Sequence, residues 1–369
     1  MADPLSCLLL GARGGGGEEV FLADLIGDPP DGVTYRAVLD AHASAPGARA
    51  QAWAERAFNR LVHPWLWPLP GLRAYRVDDA YDVVHVHNLT HRIQGSVPVV
   101  MSLGGATYRH YLAAYLAYSD ERIRTLYARA SRLYPPLGIT NEFVSWERLA
   151  AIVVFSHYAA GHLKAAGVPS ERVHVVPPGF SDPGVGPGPP PSPFRVVLAG
   201  RDPERKGADL ALEAQRRLRG RGLEVELTLV GDPAYPDWTR EGVMGLAAVP
   251  RERLFAILAR AHALVVPSRA EGFGFVAVEA MACGRAVLVS DTAALPEIVG
   301  TGGQVVRGSG ADPWVEALEP LVRDPELAGV WGTRARARFE ETFTRAHFKA
   351  RLRAVYESAR SARGTENPS

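Results

Sequence analysis

The chain has few cysteines, almost no net charge and no long apolar run, and each shortage excludes a class of protein. Its two cysteines, Cys7 and Cys283, lie far apart in 369 residues, which fits neither a zinc-ligand spacing nor a disulfide framework. Lysine plus arginine (41) nearly equals aspartate plus glutamate (40), so the net charge is +1. No overall field therefore attracts nucleic acid, and we expect no nucleic-acid partner. No apolar run reaches the ~18 residues that a membrane-spanning helix needs.

What the chain does contain is typical of a folded protein with a sizeable core. Hydrophobic residues make up 47% and charged residues 22%, an ordinary balance for a globular chain. At ~100–200 residues per domain, the length predicts two domains. The first residues contain an acid and only a short apolar run, which predicts a first strand instead of a signal peptide. We therefore expect a soluble cytoplasmic protein.

Short apolar runs alternate with helical segments in both halves, a pattern typical of α/β domains with parallel sheets. Residues 177–194 contain too much proline and glycine to continue a strand or helix, so they predict a linker. The predicted strands are 5–10, 83–86, 97–101, 151–155 and 173–176 before the linker, and 195–198, 227–230, 263–266 and 286–289 after it. The predicted helices are 18–26, a long stretch over 107–151, one capped by Ser156, then 209–219, 251–260, 275–283 and a last one capped by Thr344.

A glycine run that includes Gly16 and Gly17 lies between the first predicted strand and helix. Glycines there let a ligand approach the backbone, and a helix N-terminus favours negative charge. The run is not a clean G-x-G-x-x-G fingerprint, and no ribose-binding acid follows at the expected distance. A nicotinamide site is therefore disfavoured, and a tight strand-to-helix turn explains the run equally well.

Two cations flank the loop that follows the first strand of the second half. Arg201 ends that strand, and Lys206 closes the loop just before the next helix. An arginine can donate two parallel hydrogen bonds and a lysine supplies a compact positive charge, so the pair suits a diphosphate. Taken alone, such a pair is more often a solvated surface.

The stretch PSRAEGFGFVAVEAMACG carries a second group of candidates. Glu271 enters a loop in which Gly272, Phe273 and Gly274 offer backbone amides to a phosphate or a sugar hydroxyl. Glu279 follows about two helical turns later, and a carboxylate there can accept hydrogen bonds from a ribose diol. Its neighbours are all apolar, so an ionised Glu279 needs a partner.

These motifs resemble the retaining glycosyltransferases of the GT-B fold in family GT4, which includes glycogen-synthase-like and mannosyltransferase-like enzymes. Glu271 to Glu279 matches the E-x7-E signature, and Arg201 with Lys206 matches the G-R…K-G pair. Gly16-Gly17-Glu18 resembles the N-terminal G-G-x-E loop, H-V-H-N at 85–88 a family strand, and 343–359 the closing helix. Two positions depart from the pattern: Gly104 stands where a histidine is usual, and Pro178 where the hinge has asparagine.

The resemblance implies two Rossmann-like domains that face each other across a cleft. The N-terminal domain, 1–178 with the helix 344–361, would hold the acceptor, and residues 179–343 would hold a nucleotide-diphosphate sugar as donor. It implies no metal and no further cofactor, because Arg201 and Lys206 neutralise the leaving diphosphate. Glu271 with the 272–274 backbone would orient the sugar, Glu279 would bind the ribose, and Gly16 and Gly17 would let a loop close over the donor. The acceptor would be a glycan, a lipid-linked sugar or a small molecule.

Several alternatives stay open at this point. A 2-epimerase acting on a nucleotide-sugar uses the same fold, and a family member could bind nucleotide-sugar or glycan without turnover. His85 and His87 point the same way on a strand, as metal ligands can, although strand histidines without a third ligand are the better interpretation. Aromatic and basic residues over 53–75 allow peripheral contact with the inner membrane face. A Tyr- and Arg-rich stretch at 108–134 could face a sugar or an anionic acceptor.

Overall fold

The computed structural model describes residues 4–11, 17–39, 73–89, 91–105, 107–185 and 193–365. The chain divides into two compact units, Met1–Pro178 with Phe348–Ser369, and Gly179–His347. Among the described residues, each unit is built on a six-stranded sheet whose paired strands run parallel. The expected α/β class with Rossmann-like sheets is confirmed. Gly16 and most of the 53–75 stretch lie outside the described residues.

The sheet of the first unit has the order β2-β1-β4-β6-β7-β8, and β3 pairs with β5 in a small separate sheet. Its central strands are buried on both faces, which is why they are mostly apolar; His85, His87 and Ser102 are buried polar exceptions. The strands are β1 (Leu5–Gly11), β2 (Val33–Leu39), β3 (Arg73–Arg76), β4 (Val83–His87), β5 (His91–Gln94), β6 (Val99–Ser102), β7 (Ala151–Val154) and β8 (Val173–Val175). The helices are α1 (Gly17–Gly27), α2 (Asp120–Leu133) and α3 (His157–Ala165).

The sheet of the second unit has the order β11-β10-β9-β12-β13-β14. Its strands are β9 (Phe194–Ala199), β10 (Val225–Gly231), β11 (Val243–Ala247), β12 (Ala263–Val266), β13 (Ala286–Ser290) and β14 (Gln304–Val306). Its helices are α4 (Ala208–Gly220), α5 (Arg251–Ala259), α6 (Phe275–Ala282), α7 (Leu295–Val299), α8 (Asp312–Arg323) and α9 (Pro325–Thr342). Helix α10 (Arg345–Thr365) begins in this unit and continues into the first.

Local sequence signals account for several element boundaries. The Ser156 hydroxyl accepts a hydrogen bond from the amide of Ala159 at the start of α3, as the N-cap prediction requires. The Thr344 hydroxyl likewise accepts from the amide of His347 over 3.4 Å. Helix α10 then buries the predicted apolar positions, which are Phe348, Leu352, Val355 and Tyr356. These caps and the helical periodicity confirm the predictions for α3 and α10.

The prediction of one long helical stretch over 107–151 is wrong. The segment contains a short helical piece over 108–115, then α2, then irregular chain up to β7. Helix α2 ends before Pro135-Pro136, and Gly138 follows in the left-handed region at φ 70°. Proline removes a backbone donor and glycine permits a reversal, so the helix cannot continue there. No helix in the described part of the chain is long and apolar enough to cross a membrane.

Candidate functional site

The second unit has its topological switch point between β9 and β12. From these adjacent central strands the chain proceeds to β10 on one side and to β13 on the other. The loops at their carboxyl ends, 200–207 and 267–274, therefore leave the sheet side by side. In open α/β sheets this crevice is where ligands bind. Both loops contain residues that the sequence singled out.

An ion pair joins the two loops. The Lys206 ammonium donates to Oε2 of Glu271, and each residue is only 8% exposed. Burial by itself raises the pKa of Glu271, but the charge and hydrogen bond of Lys206 outweigh it and lower that pKa overall. Glu271 is therefore ionised at neutral pH. The sequence suggested separate roles for these two residues and did not predict that they contact each other.

The Glu271 carboxylate is also held within its own loop. Its Oε1 accepts from the Gly272 amide over 3.2 Å, and its Oε2 accepts from the Ser268 hydroxyl over 3.3 Å. The side chain of Arg205 ties the same loop to 200–207 by donating to the Ala270 carbonyl over 2.9 Å. Ser268 and Arg205 are members of the site that the sequence reasoning missed, and both lie within three residues of a motif residue in the printed sequence.

Two glycines make room for the pair. A Cβ on Gly200 would lie 2.6 Å from Cε of Lys206. The methylene carbons of Lys206 therefore pack directly against the backbone of Gly200, which a larger residue would prevent. A Cβ on Gly207 would lie 2.1 Å from the Pro267 carbonyl oxygen. Glycine at these positions lets the two loops approach each other closely enough for Lys206 to reach Glu271.

The other donor-side candidates have different surroundings. Arg201 is exposed, and among the described residues no carboxylate pairs with its guanidinium. The ring of Phe273 is 1% exposed and packs against Phe275 at 5.5 Å between ring centroids. Its backbone amide is therefore the group that could face a ligand. Gly274 adopts φ 95° as the N-cap of α6, a conformation that favours glycine.

Glu279 has a charged partner, as its apolar neighbours required. Its Oε1 lies 3.2 Å from Nε of Arg251, the first residue of α5. The guanidinium of Arg251 also lies over the rings of Phe180 and Phe255, 5.5 and 5.4 Å from their centroids. Glu279 is therefore an ionisable group in a pocket of aromatic and cationic side chains. The sequence showed that a partner was needed but not which residue supplies it.

The first unit has its own switch point between β1 and β4. The glycine loop follows β1, where Gly16 is outside the described residues and Gly17 begins α1. Asn88 follows β4 in the left-handed region, at φ 49°. Its Oδ1 accepts from the amide of Gly104, which lies in the loop after β6. Asn88 and Gly104 thus lie at the carboxyl edge of this sheet, as Lys206 and Glu271 do in the second unit.

His85 and His87 lie on the same face of β4, as the strand periodicity predicts. Both rings bond to the Ser102 hydroxyl, each over 2.7 Å. The other ring nitrogen of His85 bonds to Tyr356 and that of His87 to Asn88. Within the described residues, no group of three or more His, Cys, Asp or Glu side chains could hold a metal ion.

Comparison with known proteins supports the resemblance seen in the sequence. Residues 193–324 match the family model described as glycosyl transferases group 1. The chain is 32% identical to an MMP alpha-(1->4)-mannosyltransferase of Mycolicibacterium hassiacum, with 56% of this chain and 54% of that protein covered. It is 26% identical to a D-inositol 3-phosphate glycosyltransferase of Pseudarthrobacter chlorophenolicus, with 72% and 68% covered. The chain spans about half the length of the first of these relatives.

Solved structures show the same fold at low sequence identity. A sucrose-phosphate synthase from Thermosynechococcus elongatus aligns with a TM-score of 0.68 at 17% identity, covering 97% of this chain and 100% of that one. HepE of Anabaena, solved in complex with UDP and glucose, aligns with a TM-score of 0.63 at 16% identity, covering 96% and 100%. The chain thus has the GT-B fold, and its residues 193–324 are similar to the glycosyl transferases group 1 family.

Proposed function

We propose that the protein transfers a sugar from a nucleotide-diphosphate sugar to an acceptor hydroxyl, with retention at the anomeric carbon. The observation that carries the proposal is the buried Lys206–Glu271 pair at the switch point of the second unit. That pair lies inside the segment that matches the family model.

Lys206 can serve both Glu271 and a diphosphate. An ammonium has three donor hydrogens, and one of them is used by the Glu271 carboxylate. A phosphate oxygen that reaches the loop can take another. The exposed Arg201 guanidinium can then bind the same diphosphate from the solvent side by donating two hydrogen bonds. Together they stabilise the charge that develops as the sugar leaves.

The remaining donor contacts follow from charge and position. Glu271, held by Lys206 and the Gly272 amide, orients the donor sugar with the 272–274 backbone. Glu279, beside Arg251, accepts hydrogen bonds from the ribose diol. Gly16 and Gly17 let the N-terminal loop close over the donor. UDP is the first nucleotide to test, because HepE was solved with UDP.

We expect Arg201 and Lys206 to hold the diphosphate through their N–H donors without a divalent cation. Transfer should therefore persist in excess EDTA. Activity that is lost in EDTA and returns only with magnesium or manganese would contradict this part of the proposal. The variants Arg201→Ala and Lys206→Ala should still bind the nucleoside that lacks phosphates.

A screen of nucleoside diphosphates and their sugars tests the proposal as a whole. A true ligand raises the melting temperature because it binds only the folded state. Product analysis then separates transfer from an epimerised donor or from binding without turnover. The comparisons do not favour the last two. A screen in which no nucleotide stabilises the protein would reject the donor assignment.

The acceptor side of the proposal is a hydroxyl on a glycan, a lipid-linked sugar or a small molecule bound by the first unit. Peripheral contact with the inner membrane face and a cytoplasmic location also stay proposals. The 53–75 stretch that suggested membrane contact lies mostly outside the described residues.

A further inference from the structure

A continuous series of hydrogen bonds, buried at its centre, runs through the first unit from the carboxyl edge of its sheet to α10. It begins at the Gly104 amide, which donates to Oδ1 of Asn88 over 2.7 Å. This contact leaves the NH2 group of Asn88 facing Nε2 of His87 at 3.3 Å. An amide NH2 can only donate, so Nε2 of His87 carries no hydrogen. The backbone amide of Gly104 therefore determines which nitrogen of His87 is protonated.

The protonation of His87 sets the direction of every later bond. His87 carries its hydrogen on Nδ1 and donates it to Oγ of Ser102. The Ser102 hydroxyl must then donate to Nε2 of His85, the other ring nitrogen in contact with it. His85 in turn donates from Nδ1 to the Tyr356 hydroxyl, whose oxygen lies 2.8 Å from the hydroxyl of Tyr35. From Gly104 to Tyr356, each donor therefore points toward α10.

The middle of the series is isolated from solvent and its histidines are neutral. His85 and Ser102 are 0% exposed and His87 is 2% exposed. Burial lowers the pKa of His85 and of His87 to about 3. Because the rings stay neutral at physiological pH, each has one donor and one acceptor nitrogen, and the direction of the series does not change.

We propose that Asn88 is the positioning residue of the acceptor side, held in one orientation between the Gly104 amide and the series of hydrogen bonds that leads to Tyr356 of α10. Asn88 follows β4 at the switch point of the first unit, where a ligand crevice is expected. It adopts φ 49°, a conformation that costs energy and persists only where its surroundings hold it. Through Gly104, which has no side chain of its own, it holds the loop after β6. The functional part of the proposal rests on the transferase activity proposed above.

A single isosteric substitution should exchange the donor and acceptor roles along the series. In Asn88→Asp the carboxylate still accepts from Gly104 but cannot donate to His87. His87 must then protonate Nε2 and accept from Ser102 at Nδ1. His85 must switch in the same way, with Nε2 donating and Nδ1 accepting from Tyr356. Histidine-selective 15N labelling of the whole protein at pH 8 identifies the protonated nitrogen of each ring.

The expected spectra show Nδ1–H on both histidines in the wild type and Nε2–H on both in Asn88→Asp. Asn141→Asp is the matched control, because Asn141 also accepts backbone amides, from Phe143 and Val144, but lies outside the series. It should leave both tautomers unchanged. Nε2–H in the wild type, or no switch in Asn88→Asp, would overturn the proposed series.

The positioning role is tested with Asn88→Gly, since glycine accepts the left-handed backbone without strain. We expect the peptide spanning 103–105 to exchange its amide hydrogens at least tenfold faster. We also expect kcat/KM for the acceptor to fall at least tenfold, with the Kd for UDP unchanged. Unchanged exchange and unchanged kcat/KM would overturn the role. If the wild type shows no transfer at all, the proposed function fails, while the tautomer and exchange measurements still decide the series.

Discussion

Lys206 and Glu271 neutralise each other in the second unit, so the two cations of the predicted clamp should differ in their effect on stability. Lys206→Ala leaves Glu271 charged and buried, which we expect to cost about 3–5 kcal/mol of unfolding free energy as well as transfer. Arg201→Ala removes an exposed charge and should reduce transfer ten- to a hundredfold, from the ~1.5–3 kcal/mol that a charge-assisted contact contributes, with stability nearly unchanged. Urea unfolding and transfer assays measure both effects.

Two controls separate these effects. The double variant Lys206→Met with Glu271→Gln removes both charges, so it should regain much of the lost stability while remaining inactive. Arg240→Ala removes another exposed arginine, which precedes β11 at the amino-terminal edge of the same sheet. It should leave transfer intact. Near-normal turnover in both Lys206→Ala and Arg201→Ala would show that the clamp assignment is wrong.

Glu279 and Glu271 should affect different parts of donor recognition. Glu279→Gln should weaken binding of the nucleoside diphosphate itself, because a ribose hydroxyl loses a charged acceptor worth ~1.5–3 kcal/mol. Glu271→Gln should mainly lower transfer from the intact donor. Calorimetry with UDP resolves a difference of this size. Normal UDP binding by Glu279→Gln together with weak binding by Glu271→Gln would mean that the two roles are exchanged.

At the scale of single elements, helix α4 begins after Gly207. A substitution at the nearby Gly222 separates the cost of the left-handed backbone from the cost of a steric contact. Gly207 and Gly222 both have positive φ, 67° and 79°, but only Gly207 would place a Cβ against another loop. Gly222→Ala should therefore cost only the ~1–2 kcal/mol of the left-handed backbone. Gly207→Ala should cost ~1–3 kcal/mol more and impair transfer, because it pushes the Pro267 loop away from Lys206. Equal losses in urea unfolding would contradict this explanation.

The sequence predicted those helices and strands that depend on residue type and short-range spacing. It did not predict those that depend on contacts with distant parts of the chain. The mostly apolar sequences of β9, β10, β12 and β13 identified these strands, because the central strands of a parallel sheet bury most of their side chains; Arg195, Glu226 and Thr228 interrupt the apolar runs of β9 and β10. Strand β2 was missed because its burial alternates only weakly, with exposed positions between half-buried ones. Its pairing with β1 supplies the missing stabilisation. The 107–151 stretch was misread because helical composition continued across Pro135 and Pro136.

For the whole molecule, the buried histidines of the first unit predict how stability depends on pH. Their folded-state pKa of about 3 lies below the ordinary value of 6.5, so below pH 6.5 the unfolded chain takes up protons that the folded chain does not. The unfolding free energy should therefore fall by about 2 kcal/mol per histidine between pH 7 and pH 5. His91, which is buried in the same unit and has its pKa lowered to about 4, contributes in the same direction, whereas Glu142, whose pKa is raised by burial, contributes in the opposite direction. A urea midpoint that stays constant from pH 7 to pH 5 would contradict the buried, neutral state of His85 and His87.

The sequence alone determined the α/β class, the most central strands, the two helix caps and the identity of the motif residues, because each depends on residue type and short-range spacing. It could not determine which side chains meet. Lys206 and Glu271 are 65 residues apart, and they contact each other because β9 and β12 are neighbours at a switch point. His85 and Tyr356 are 271 residues apart and meet because α10 belongs to the first unit. Such pairings depend on strand order and helix docking, which only the tertiary structure decides.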